Sequence, residues 1–147
     1  MAFVRYPLEA LLKSRNWELD EMKQRLRAEH EAVLKNEDAA ERLRTEIAQA
    51  ESDLRREGGV IAVDRRRLVA LYARERRARL ADRQGQIDLG RKALAKHAGE
   101  MALLRRSLKA LERHRERYLK ALAARLEKNQ EKALEDAWLG RRAHAHG

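Results

Sequence analysis

A leucine-rich seven-residue repeat begins beside Pro7 and runs without slippage to Leu54. Its positions are Leu8, Leu12, Arg15, Leu19, Met22, Leu26, Glu29, Val33, Asn36, Ala40, Leu43, Ile47, Ala50 and Leu54, which follow one another at alternating steps of four and three. Eleven of these fourteen are apolar and their flanks are dense in Glu, Arg and Lys, the signature of a coiled-coil seam. A seam this narrow buries too little to fold alone, because a helix gains most of its stability from packing its apolar face. Its partner has to be another helix.

The composition excludes a wide globular core. Of 147 residues, 39% are charged and 4% aromatic, with one Phe and one Pro, so there is little from which to build a deep catalytic pocket. Cysteine is absent, which excludes a disulfide framework and a thiolate zinc site and fits a reducing compartment. No run of about eighteen apolar residues exists to span a membrane. At the start of the chain, Arg5, Glu9 and Lys13 interrupt the apolar residues, which is not the pattern of a secretory signal. The expected location is the cytoplasm.

Charge is uneven. Residues 1–57 hold 11 Lys and Arg against 13 Asp and Glu, and residues 58–147 hold 23 against 11, so net charges of −2 and +12 make up the total of +10. The second part should attract acidic protein surfaces, nucleic acid or anionic lipid, and charge alone does not choose among them.

Pro7 suits the first position of a helix, where its missing N–H would be unpaired anyway, and Glu9 complements the positive helix end. The first helix is expected over residues 7–57. Gly58-Gly59 is the only glycine pair in the chain and marks the reversal, with the turn over 58–63. Asp64 reads as the N-cap of the second helix, with Val63 and Leu68 as a hydrophobic staple. The second seam runs through Leu80, Ile87, Leu94, Met101, Leu104, Leu108, Leu111, Tyr118, Leu122, Leu126 and Ala133, with a phase slip after Leu122. Gly85, Gly90 and Gly99 mark close helix contact or a bend. The second helix is expected over 64–139, ending at Leu139-Gly140, with a flexible tail at 140–147. The fold is therefore an all-α, elongated antiparallel two-helix coiled-coil hairpin, monomeric because its two seams satisfy each other. Its longer second arm overhangs and leaves Leu122, Leu126, Ala133 and Trp138 without an internal partner.

Asn36 is the seam residue best suited to pin the register. Arg65, Arg66, Arg67, Arg74, Arg76, Arg77 and Arg79, interleaved with Leu68, Leu71, Tyr72 and Leu80, form a basic face near the turn that reads as a solvated surface first, and otherwise as a docking face for an acidic partner or for nucleic acid. Trp17 and Trp138 lie outside the seam and are expected to be partly exposed. Among His30, His97, His114, His144 and His146, only His144 and His146 lie close together, and no third ligand is near, so no metal site is expected. No phosphate loop, nucleophile elbow or HExxH motif occurs, and the chain reads as a non-enzyme without cofactor.

The opening FVRYPLEALLKSRNWELDEMKQRL, the mid-chain GGVIAVDRRRLVALY and the ending LEKNQEKALEDAWLGRR together resemble the FliJ/YscO family, stalk components of flagellar and virulence type III protein export. The resemblance implies a coiled coil like that of the rotary ATP synthase γ subunit. Its two termini would enter the pore of a hexameric export ATPase, its other end would reach the export gate protein, and members also handle export chaperones. By that likeness, Leu8, Leu11, Leu12 and Lys13, with Leu126, Ala133, Leu134, Trp138 and Leu139, face the ATPase, while Arg66, Leu68, Leu71, Tyr72 and Arg76 face the gate. The many arginines at the gate-facing patch depart from the family pattern. The protein would be cytoplasmic and peripheral to the inner-membrane export apparatus, without inserting in the membrane and without binding nucleic acid. The rival reading is a basic helical hairpin that binds nucleic acid or the ribosome, argued from the +12 arm.

Overall fold

The computed structural model describes residues 5–57 and 62–146. Two helices make up nearly all of this: α1, Glu9–Arg56, of 48 residues, and α2, Val63–His146, of 84 residues. They pack against each other as an all-α hairpin. The expected turn at Gly58-Gly59, with Val60-Ile61, lies outside the described residues. Among the described residues no helix is long and apolar enough to cross a membrane.

The amide of Glu9 donates to the carbonyl of Tyr6 at 3.1 Å and that of Leu12 to Leu8 at 2.9 Å, so Pro7 and Leu8 form the turn that opens α1. Glu9 in the first turn and Arg55 and Arg56 in the last both complement the helix dipole. The start of α2 differs from expectation. The carbonyl of Ala62 accepts from the amides of Arg65 and Arg66 at 3.0 and 3.3 Å, which makes Ala62 the cap and puts Asp64 inside the first turn. Asp64 acts there on the dipole rather than as a capping acceptor, and Val63 and Leu68 are 77% and 66% exposed, too open for a staple.

The far end of α2 also differs. The helix runs through Gly140 to His146 instead of stopping at Leu139. A single interior glycine costs only about 1 kcal/mol relative to Ala, and the Arg and Ala residues around Gly140 favour helix, so glycine alone is not a stop signal.

The chain divides into two compact units, Met1–Leu19 with Leu103–Gly147, and Asp20–Ala102. Within the second, Val33, Ala40, Leu43, Ile47, Ala73 and Ile87 are the buried core. All the seam positions of α1 from Met22 to Leu54 are buried or half-buried there. Gly90 permits close packing, since a Cβ at this position would lie 2.6 Å from Val33 Cγ2. Within the first unit the core is Tyr6, Leu12 and Leu108. The Tyr6 hydroxyl is hydrogen-bonded to His114 Nδ1, and its ring lies 5.5 Å from the rings of both His114 and Tyr118.

Candidate docking surfaces

Two of the three polar interruptions of the α1 seam, Glu29 and Asn36, are matched by polar residues of α2 that the apolar pattern did not reveal, and a charge pair flanks the seam at Glu46. In the unit Asp20–Ala102, Arg76 Nε lies 3.3 Å from Glu46, Arg83 Nη1 donates to Asn36 Oδ1 at 2.8 Å, and His97 Nδ1 lies 2.7 Å from Glu29 Oε2. As the α1 partner number falls from 46 to 29, the α2 number rises from 76 to 97, which is antiparallel pairing. Beside these rungs, Arg77 pairs with Glu51 and Arg91 with Glu37. In the unit of the chain ends, Arg115 Nε donates to Glu9 at 2.9 Å, whereas Arg15 turns to Glu18 of its own helix, also at 2.9 Å. Asn36 thus has the partner a register-fixing residue needs.

These rungs change the reading of the basic face. Arg76, expected to be a free cation at the gate-facing patch, is a seam residue with only 24% of its side chain exposed. Its guanidinium lies over the Tyr72 ring, 4.9 Å from the centroid. Contact with Tyr72, and after it the charge of Glu46, pushes that guanidinium above its ordinary value. Its buried Nε–H points at no acceptor in good geometry, so the approach of Glu46 is electrostatic rather than a hydrogen bond. Arg65 pairs with Glu57, and Arg79 with Glu75 at 2.7 Å. Of the expected basic cluster, Arg66, Arg67 and Arg74 are exposed and have no carboxylate partner among the described residues. Leu68 and Leu71 are exposed beside them and Tyr72 is half-buried.

The second surface belongs to the unit of the chain ends. Leu122 is half-buried, but every residue from Ala123 to Ala145 is exposed although the helix continues. Leu126, Leu134, Trp138 and Leu139 are 48 to 70% exposed there, and Ala133 is exposed with them. At 100° per residue Leu126, Ala133, Leu134 and Ala137 share one face, with Trp138 at its edge. Leu139 points to another side. The Arg142 guanidinium covers one face of the Trp138 indole at 5.2 Å, and a shallow groove runs beside Leu134, Trp138 and Arg141.

At the beginning of α1, Leu8 and Leu11 are exposed at 38% and 40%, and Lys13 is exposed. Leu12 is corrected: at 8% exposure it belongs to the core and has no surface to offer a partner. Trp17 is 62% exposed. Tyr6, which sequence reasoning did not single out as core, closes this end. Its signal was an aromatic residue immediately before the helix-opening proline.

Among the described residues no group of three His, Asp or Glu side chains could hold a metal. No family model, no curated protein and no solved structure matches the chain.

Proposed function

We propose that the chain is a non-enzymatic stalk component of a bacterial type III protein export apparatus, flagellar or injectisome, of the FliJ/YscO kind. On this reading it couples a hexameric export ATPase to the export gate and handles export chaperones. The observation that carries the reading is the continuation of α2 past Leu122 as a fully exposed helix presenting Leu126, Leu134 and Trp138. An apolar helix face with a Trp at its edge is the form of an anchor for a protein groove, since exposed aromatics concentrate binding energy. The exposed Leu8 and Leu11 add an apolar surface in the same unit, and the hairpin fold agrees with the resemblance of the sequence.

For the gate, the supporting feature is the cluster Arg66, Arg67 and Arg74 beside the exposed Leu68 and Leu71. Exposed cations accelerate association more than they strengthen it, and salt screens them. The reading places the protein in the cytoplasm, peripheral to the inner membrane.

The test uses purified export ATPase, the cytoplasmic part of the gate and RNA as three separate partners. Trp138→Ala should weaken ATPase binding by about thirtyfold, the loss of about 2 kcal/mol that truncating an aromatic anchor brings, with little dependence on salt. Arg66→Glu with Arg67→Glu should slow gate association at low salt and matter less as salt rises. Tight binding of RNA or ribosomes at physiological salt, with neither export protein bound, would replace this reading with the nucleic-acid one.

A further inference from the structure

In the unit Asp20–Ala102, α2 turns Ala73, Leu80, Ile87 and Leu94 toward α1. Asp82, Leu89 and Lys96 also recur every seven residues, on a line about 200° around the helix from those residues and about 100° from the other seam line of Arg83, Gly90 and His97, and so lie outside the contact with α1. All three are exposed, Leu89 by 69%. Alongside runs a second outward line of Ala78, Gly85, Lys92 and Gly99, again at intervals of seven and again exposed.

Two properties mark this face. Asp82, Asp88, Lys92 and Lys96 form no ion pair among the described residues, so their charges are open to a partner, as are those of Arg66, Arg67 and Arg74 nearer the start of the helix. The four unpaired charges also change sign at Leu89, with acids before it and bases after it. Gly85 and Gly99 have nothing within 4 Å of an added Cβ, so unlike Gly90 neither is required by the packing within the chain. A helix face lined with glycine and alanine lets another backbone approach closely.

We propose that this face is a self-association surface on which a second copy of the chain docks antiparallel, with its twofold axis at Leu89. Turning the line Asp82–Leu89–Lys96 end for end lays Asp82 on the Lys96 of the second copy, Leu89 on Leu89, and Lys96 on Asp82. The neighbouring line then sets Ala78 against Gly99 and Gly85 against the stem of Lys92. Such an isologous contact uses one patch twice. Two acids and two bases leave the patch without net charge, in an arm that carries +12 overall, so the face offers nucleic acid or an acidic protein no attraction of its own. Its own inverted copy is the complement it encodes. A contact of about six helical turns lies at the low end of interface size, the range of weak and transient contacts, so the hairpin is monomeric when dilute and pairs as its concentration rises.

Sedimentation equilibrium of the full chain at low salt, from about 5 µM to about 1 mM, should show the mass rising from one chain toward two, and the rise should weaken as salt is added. Asp82→Lys and Lys96→Asp should each weaken the dimer at least tenfold, and the double variant should restore it, because both pairs are re-formed with exchanged signs. The chain has no cysteine, so Leu89→Cys should give a disulfide-linked dimer under mild oxidation, while Lys35→Cys on the exposed surface of α1 should not. Circular dichroism shows whether each variant keeps its helices. One-chain mass at every concentration, or a dimer that ignores the single reversals or is not restored by the double, overturns the proposal. The outcome does not depend on any export protein.

Discussion

His97 Nδ1 lies 2.7 Å from Glu29 Oε2, and only 24% and 26% of the two side chains are exposed, so a polar position in one seam is answered by a polar position in the other. Removing one partner leaves the other half-buried without a hydrogen bond, whereas replacing both with apolar groups removes the need for one. Glu29→Ala should therefore lower stability by about 1–3 kcal/mol. Glu29→Leu with His97→Leu should recover most of that. Urea unfolding of the single and the double variant measures both; a double variant as unstable as the single would mean the pair does not act as a unit.

The three mid-helix glycines separate into two kinds, which opposite responses to alanine will reveal. At Gly85 and Gly99 an added methyl meets nothing within 4 Å, so alanine at either position should stabilise α2 by about 0.5–1 kcal/mol through its better helix propensity. At Gly90 the methyl would lie 2.6 Å from Val33 Cγ2, and Val33 is a stiff β-branched residue only 6% exposed. Overpacking of about 1–3 kcal/mol should outweigh the propensity gain there. Melting midpoints should rise for Gly85→Ala and Gly99→Ala and fall for Gly90→Ala.

Tyr6 stands outside the heptad pattern yet is 4% exposed, bonded to His114 and packed between two rings. Tyr6→Phe should cost about 1 kcal/mol, the value of one hydrogen bond. Tyr6→Ala should cost about 3–5 kcal/mol through lost burial and a cavity. Amide exchange in residues 108–122 should accelerate in both variants, and far more in the second.

The α1 seam was legible because its apolar residues outnumber the interruptions, and the burial of Leu12, Val33, Ala40, Leu43 and Ile47 follows the counted register. The second seam was legible only in its apolar half. Arg76, Arg83, Gly90, His97 and Arg115 continue the same seven-residue phase, but a charged residue or a glycine gives no hydrophobic signal, and only its partner on the other helix reveals its place. The end of α2 was misjudged at Gly140 because a glycine terminates a helix only where the chain turns left-handed and other groups take up the freed carbonyls. The overhang was readable from unequal arm lengths, and exposure after Leu122 agrees with it. Leu12 faces the ATPase only by the family likeness, whereas its place in the counted seam already points to the core, where it lies. The likeness to export stalks rests on the sequence.

Shortening α2 separates the fold from the proposed docking surface. Residues 123–145 are exposed, and no ion pair joins their side chains among the described residues. Exposed positions without buried contacts contribute within about 0.5 kcal/mol each, and a single helix about 35 Å long with no packed face is marginal in water. A chain ending at Lys128 keeps Leu122 one full turn from its end, so it should melt within about 3 °C of the full chain. In the full chain, amides beyond Lys128 should exchange orders of magnitude faster than those at Leu43 or Leu108, because opening there breaks no tertiary contact. Loss of ATPase binding in the shortened chain, with the melt unchanged, is the outcome that the docking role of Leu134 and Trp138 requires. Full ATPase binding by the shortened chain would move the contact to Leu8 and Leu11 at the start of α1.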